Sequence, residues 1–200
     1  MNVDEFLTNL YNDELSDMFI GNRNSKEEPR EKLLPLMNKA MLQAYAKYNI
    51  KFDHVPLTVN TNDHTYVMIN EDALAIMAVT EDSSRRILKT HEVQILGQIL
   101  YFPDPVVGNY TVRYKVKPTK FVEEQNDEET EIELPDLLVS WMSSWVASRI
   151  FLSRKDDVSI AKGTELMSLA NTFETAYQAT NTTNEYTHRD TVKLVARGFA

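Results

Sequence analysis

Apolar residues recur at helical spacing in two segments near the start of the chain. A helix is predicted over residues 3–19, with an apolar face that contains Phe6, Leu7, Leu10, Leu15, Met18 and Phe19. A second is predicted over residues 29–48, with a face that contains Leu33, Leu34, Met37, Ala40, Met41, Ala44, Tyr45 and Tyr48. Pro35 has no backbone donor, so either the regular helix begins there or a short turn precedes it. The polar stretch between the two segments predicts a loop.

The pattern changes to short β-rich runs over residues 50–118. Strands are predicted at 55–59, 66–69, 92–96, 100–102 and 110–116. Residues 74–79 are ambiguous by periodicity and are interpreted as an extended segment entering the sheet. The run at 110–116 alternates between apolar and polar residues, which is typical of a strand with one buried face, and Gly97-Gln98 fits a tight hairpin turn. We expect a small antiparallel sheet or sandwich.

An acidic stretch follows at residues 121–134. Seven of the eleven residues from Glu123 to Glu133 are acidic and none is basic, which predicts a solvated loop or hairpin tip. The acidic residues are Glu123, Glu124, Asp127, Glu128, Glu129, Glu131 and Glu133. Binding of a hard cation would require regularly spaced oxygen ligands and a glycine, and the stretch has no glycine.

Two further helices are predicted at residues 135–153 and 157–179, and their short connector makes them an antiparallel hairpin. Trp141 and Trp145 lie four residues apart on the apolar face of the first of them, so core packing is favoured over a ligand-stacking role. The predicted fold class is α+β, mainly α: a helical bundle with an inserted small antiparallel β-region and an extended C-terminal arm. Residues 1–180 form the single predicted domain.

Residues 181–200 form the predicted arm. Residues 181–187 are polar and aperiodic, which predicts a tether. The remainder combines apolar Val192, Leu194, Val195 and Phe199 with basic Arg189, Lys193 and Arg197. This composition is typical of a docking segment that folds as it binds, and a frayed terminus is the alternative.

Composition and charge exclude several classes of function. The chain has 200 residues and no cysteine, so disulfides and thiolate metal sites are ruled out. It has only five glycines, so glycine-rich phosphate loops are disfavoured. The formal net charge of −9 argues against tight binding to nucleic acid. The four histidines lie in no ligand motif, no catalytic motif is present, and no cofactor is expected. The first residues lack the features of a signal peptide and no run is long enough to span a membrane, so we expect the protein to be made in a cytoplasm.

Two stretches together resemble a known family. Residues 87–118 contain Val93-Gln-Ile-Leu-Gly-Gln-Ile-Leu-Tyr-Phe-Pro and Gly108-Asn-Tyr-Thr-Val-Arg-Tyr-Lys-Val-Lys-Pro, and two amphipathic helices follow between residues 134 and 177. This order is similar to that of the head-to-tail adaptor, or connector, proteins of tailed bacteriophages, in which a helical bundle carries an inserted β-region and the chain closes with two helices and an arm. The resemblance covers about residues 32–200 and consists of diffuse hydrophobic patterns.

The resemblance implies a non-enzymatic structural protein of the virion, located at the head–tail junction. Adaptors of this family assemble into a closed ring, commonly of about twelve copies, beneath the portal protein. Their C-terminal arm inserts into the portal, tail proteins bind the other face, and DNA passes through the channel without specific binding. By analogy, residues 189–200 would dock on the portal, and the acidic stretch would line the channel or face the tail.

The sequence alone leaves several other functions open. The chain could be another virion component, such as a tail-completion or tail-tube subunit, or a soluble bacterial binding domain. A small enzyme that uses unrecognised carboxylates is a further alternative, because the chain contains many carboxylates and nothing distinguishes any two of them.

Overall fold

The chain forms a mixed α+β structure with helices and antiparallel sheets. The computed structural model describes residues 1–16, 27–60, 63–67, 71–123, 125–154 and 156–196, with the side chains of 27–29 and 182–196 outside the description. The chain divides into two compact units. One unit consists of Met1–Ala40 and Lys120–Ala200, and the other of Met41–Thr119.

Helix α1 (Val3–Asn12) begins at Asn2, whose side-chain Oδ1 accepts a hydrogen bond from the N–H of Glu5 at 2.7 Å. The helix is shorter than the predicted 3–19. The N–H of Leu15 donates to the carbonyl of Leu10 at 3.0 Å, a bond that spans five residues and closes the helix end. Leu15 is nevertheless buried, as its apolar spacing predicted, whereas Met18 and Phe19 lie outside the described residues.

Helix α2 (Glu27–Lys47) contains Pro35 inside its length. The expectation that the regular helix begins at Pro35, or that a short turn precedes Pro35, is therefore wrong. The proline ring removes one backbone hydrogen bond, that to the carbonyl of Glu31. Both residues are exposed, so water can satisfy this carbonyl and the helix continues through the proline.

Helices α3 (Asp136–Ser153) and α4 (Asp157–Ala196) pack against each other, as the short connector predicted. Trp141 and Trp145 are buried in the core, with ring centroids 6.2 Å apart. Small residues allow the two helices a close approach. A Cβ added to Gly163 would lie 2.8 Å from Leu152 Cγ and 3.1 Å from the carbonyl oxygen of Ser148.

Helix α4 does not end near residue 179 as predicted, and the segment interpreted as a tether is helical as far as Ala196. Weak periodicity led to that prediction, but an α-helix satisfies its backbone hydrogen bonds within the segment and does not require an apolar stripe. The sequence contains no glycine or proline between Gly163 and Gly198 to interrupt it. At 1.5 Å per residue, α4 is about 60 Å long and α3 about 27 Å.

The second unit contains two antiparallel sheets, which confirms the predicted β-region. Its strands are, in chain order, β1 (Phe52–Val59), β2 (Thr65–Val67), β3 (Ala73–Glu81), β4 (Arg86–Ile87), β5 (Gln94–Leu96), β6 (Ile99–Tyr101) and β7 (Gly108–Val116). The larger sheet has the order β1-β7-β3-β4 and the smaller one β2-β6-β5. The segment interpreted as extended is β3. The short strand β4 was not predicted.

The central strand β7 alternates as predicted, with Tyr110, Val112 and Tyr114 buried in the core of this unit. Lys115 departs from the predicted polar face, because it is only 8% exposed and its Nζ donates to the carbonyl of Ala46 at 3.1 Å. The hairpin between β5 and β6 turns at Gly97, whose φ of +66° is a conformation that favours glycine. The hairpin prediction is therefore confirmed.

Candidate interaction surfaces

The acidic segment, residues 121–134, is anchored at its start by the side chain of Asn38 in α2. Asn38 Nδ2 donates to the carbonyl of Phe121 at 2.9 Å, and the N–H of Phe121 donates to Asn38 Oδ1 at 2.8 Å. The ring of Phe121 is 3% exposed. One side chain therefore satisfies both backbone groups of a buried residue, as a neighbouring strand would.

A second anchor lies at Asp127. Arg30 Nη2 donates to Asp127 Oδ1 at 2.8 Å, and Gln125 Nε2 donates to the same oxygen at 3.1 Å. The side chains of Arg30 and Asp127 are 28% and 13% exposed, so solvent only partly screens the pair. Burial of Tyr11 in α1 raises its pKa to about 12, although the Arg30 guanidinium opposes the shift.

The end of the acidic segment pairs with the first residues of the chain. The N–H of Val3 donates to the carbonyl of Thr130 at 2.9 Å, and the N–H of Ile132 donates to the carbonyl of Met1 at 3.0 Å. Between these bonds, Asn2 and Glu131 form an antiparallel bridge, and the Ile132 side chain is buried. The segment is thus a loop, as predicted, but one that is tied to α1 and α2 at three places.

These anchors leave most of the predicted carboxylates directed to solvent. Asp127 is engaged by Arg30, and Glu124 lies outside the described residues. The remaining carboxylates have exposed side chains, and they are Glu123, Glu128, Glu129, Glu131 and Glu133. A short stretch of fixed backbone therefore presents a concentrated negative surface.

Five of the seven candidate docking residues lie at the far end of α4. The backbone of α4 includes Arg189, Val192, Lys193, Leu194 and Val195, whose side chains are outside the described part of the structure. Arg197 and Phe199 also lie outside the described residues.

The second unit carries an exposed apolar surface that sequence reasoning missed. An open groove of about 440 Å³ lies beside β3, β4 and β5, and it is lined by Met77, Ala78, Val79, Ile87, Leu88, Thr90, Val93, Gln94, Ile95 and Leu96. Ile87 and Leu96 are each 62% exposed, although isolated soluble domains seldom leave clustered apolar side chains uncovered. The sequence contained an indication of this surface, because Ile95 and Leu96 are consecutive and cannot both face one core from a single strand.

An acidic pocket of about 330 Å³ adjoins the groove at Leu88, which lines both cavities. Arg86 Nη1 lies 2.8 Å from Glu92 Oε2, and Arg86 Nη2 lies 3.8 Å from Glu81 Oε2. Asp104 also lines the pocket, and it makes no hydrogen bond or ion pair within the described part of the chain.

Hydrogen bonds favour the ionised form of two carboxylates of this pocket, Glu81 and Glu92. Hydrogen bonds from Ser84 and Ser83 lower the pKa of Glu81, and the Lys89 N–H together with the Arg86 guanidinium lowers the pKa of Glu92. The pocket lining has three carboxylates and one guanidinium, which gives a net charge of −2 with His91 neutral.

Among the described residues, no cluster of three or more His, Asp or Glu side chains is arranged to hold a metal ion. The same residues include no helix with the length and hydropathy needed to cross a membrane.

Compared with models of known protein families the chain matches none, and no curated protein matches its sequence.

Proposed function

We propose that the chain is a non-enzymatic structural protein of a tailed-phage virion, a head-to-tail adaptor that forms a homo-oligomeric ring beneath the portal. In this proposal the helices form a bundle, and the β-region is an insertion in that bundle. The C-terminal end of the chain docks on the portal, tail proteins bind the opposite face, and DNA passes through the ring. The protein then resides in the virion at the head–tail junction.

The observation that carries the proposal is the length of α4. This helix exceeds its packing partner α3 by about 33 Å at 1.5 Å per residue, so its last turns extend beyond the helix that covers its start. Those turns contain Val192, Leu194 and Val195 among basic residues. An apolar, basic end that its own hairpin does not cover is suited to docking in a groove of a partner.

The acidic segment supports the second part of the proposal. DNA must move through a head–tail junction without being held, and a surface of fixed carboxylates repels phosphates. Glu128 and Glu129 are exposed on a loop with three anchors, so the backbone that carries these charges is held in place. The segment would line the channel or form the rim that faces the tail.

The docking role is tested by mixing the full-length chain with purified portal rings and measuring the complex by sedimentation velocity. The double variant Val192→Asp/Leu194→Asp places two charges where the proposal requires burial, so we expect binding at least about tenfold weaker. Thr180→Asp, an exposed position earlier in α4, is the matched control and should bind normally. Undiminished binding by the double variant would contradict the docking role.

A truncation that ends at Thr180 extends this test. It retains Leu166, Ala170 and Tyr177, the hydrophobic residues of α4 that are buried among its described side chains. We expect the truncated chain to fold, as judged by circular dichroism, and to lose portal binding. A truncated chain that still binds portal rings would show that the contact lies elsewhere.

The role of the acidic segment is tested with Glu128→Lys/Glu129→Lys in assembled particles. Slower DNA delivery with normal tail attachment would place the segment in the channel, whereas reduced tail attachment would place it at the rim. Particles that are normal in both respects would contradict either role.

A further inference from the structure

We propose that the groove and the acidic pocket of the second unit bind the C-terminal segment, residues 186–200, of a second copy of this chain. The site would be a composite one, in which apolar side chains lie in the groove and a basic side chain enters the pocket. This inference goes beyond the proposed docking on a portal and does not require it.

The first argument is the arrangement of the receiving surface. The apolar groove and the acidic pocket share Leu88, so a ligand that fills both must carry apolar and basic groups close together. The pocket has an apolar wall that includes Phe102 and Val106 as well as its carboxylates. Such a lining fits the alkyl stem and cationic head of Lys or Arg.

The second argument is charge complementarity within the chain itself. The net charge of the pocket lining is −2, and Asp104 has no ionic partner among the described residues. The segment from Arg189 to Ala200 carries three basic side chains against one acidic side chain, in a protein whose overall charge is −9. This segment is therefore an exception to the charge of the chain, and it is opposite in sign to the pocket.

The third argument is that basic and apolar residues alternate closely in the segment. Lys193 lies between Val192 and Leu194 in sequence, and Arg189 lies one helical turn before Lys193 in α4. A short stretch can therefore supply apolar contacts for the groove and a cation for the pocket together.

The edge of the larger sheet is also open at this place. Strand β7 pairs with one side of β3, and on the other side β4 pairs only at Thr80 and Glu81, so on that side the described residues provide no strand beside Ala75–Ala78. Such an edge offers backbone groups beside the apolar groove.

If the chain is an adaptor, the groove would hold the segment in the absence of a portal, because one segment cannot occupy both sites.

The direct test uses a fluorescein-labelled peptide of residues 186–200 and fluorescence anisotropy. The receptor is the full-length chain carrying Leu194→Asp, which weakens its own segment as a competitor. We expect saturable binding that Leu96→Lys in the receptor weakens at least about tenfold, because a cation then lies in the groove. Val67→Lys, with a side chain 61% exposed on β2 outside the groove, is the matched control and should not change binding.

A charge exchange tests the pocket in the full-length chain without added peptide. Asp104→Lys should weaken self-association measured by sedimentation velocity over a concentration series, and adding Lys193→Glu should restore part of it. Glu71→Lys makes the same charge change at an exposed position outside the pocket and should have no effect. Circular dichroism of each variant shows whether it folds.

The proposal would be overturned if the peptide does not bind, or if it binds equally to the receptor with and without Leu96→Lys. A chain that stays monomeric at every concentration while its segment protects the groove would show an intramolecular contact, and would also overturn it. No portal is present in these assays, so their failure leaves portal docking standing, and a failure of portal docking leaves peptide binding standing.

Discussion

Asn38→Ala removes both hydrogen bonds that fix the start of the acidic segment. Each bond is close to ideal length, at 2.8 and 2.9 Å, and the Phe121 residue that they satisfy is 3% exposed. A buried donor or acceptor left without a partner costs about 1–3 kcal/mol. Because water can enter part of the space that the shortened side chain vacates, we expect a loss of about 2–4 kcal/mol for the two groups. A loss of 2 kcal/mol already changes the ratio of folded to unfolded protein by about 30-fold.

The assay for this variant is urea unfolding followed by tryptophan fluorescence. Both tryptophans of the chain, Trp141 and Trp145, lie in α3, in the same compact unit as Asn38 and Phe121. The fluorescence transition therefore reports on the unit that the substitution affects, and the other unit contributes no tryptophan signal. Lys39→Ala, at the adjacent exposed position of α2, controls for the introduction of an alanine into this turn of the helix.

Two further measurements make this prediction sharper. Amide hydrogen exchange at Phe121 should accelerate in Asn38→Ala, because its N–H loses its acceptor. Asn38→Asp should be at least as destabilising at neutral pH, because its ionised carboxylate faces the Phe121 carbonyl oxygen. The reasoning fails if Asn38→Ala lowers the free energy of unfolding by no more than about 0.5 kcal/mol beyond Lys39→Ala, which is the range of ordinary surface substitutions.

Two other predictions concern the helical unit. Gly163→Ala should destabilise it by about 1–3 kcal/mol despite the better helix propensity of alanine, because the new Cβ meets Leu152 Cγ at 2.8 Å and the Ser148 carbonyl at 3.1 Å. The control is Ala161→Gly, at an exposed position of the same helix, which should cost about 1 kcal/mol of stability through helix propensity alone. A Gly163→Ala variant that is more stable than the parent chain in urea would refute the close approach of the two helices. Burial favours the neutral phenol of Tyr11 and raises its pKa from 10.0 to about 12. The stability that this shift contributes to the folded state is therefore present below pH 10 and is lost as the pH rises through 12. The stability difference between the parent chain and Tyr11→Phe should therefore fall over that range, and a difference that is constant with pH would contradict the assignment.

The sequence predicted the elements whose apolar spacing is strong. Residues 135–153 carry a continuous apolar face, and the observed α3 has nearly the same bounds. The alternation at 110–116 likewise predicted β7, because a strand with one buried face must repeat every second residue. Both patterns result from local geometry acting on a single buried surface, so a short window of sequence is enough to recognise them.

Helix ends and short strands were less predictable, because contacts outside the local window decide them. Helix α1 stops at Asn12, and the bond from the Leu15 N–H to the Leu10 carbonyl closes its end. Helix α4 continues through polar residues that give no periodic pattern. Strand β4 has only two residues, too few for any alternation. For α4 and β4 the hydrophobic pattern is weak or absent, whereas for α1 the apolar spacing continues beyond the residue at which the helix ends.

The candidate surfaces were likewise predictable from the sequence only in part. The acidic character of residues 121–134 and the apolar, basic character of the C-terminal segment follow from composition, which is a local property of the chain. The sequence alone could not show that Asn38 and Arg30 hold the acidic segment, since 83 residues separate Asn38 from Phe121 and 97 separate Arg30 from Asp127. Nor could it show that Leu88 joins an apolar groove to an acidic pocket.

The sequence by itself determined where most of the helices and strands lie, which residues form most of each core, and which stretches carry unusual charge. These properties depend on the period of apolar residues and on composition. Only the tertiary structure decided which polar groups find partners, which carboxylates remain exposed and which apolar residues have no cover. Those outcomes depend on contacts between residues far apart in the chain, and no short window of sequence contains both partners.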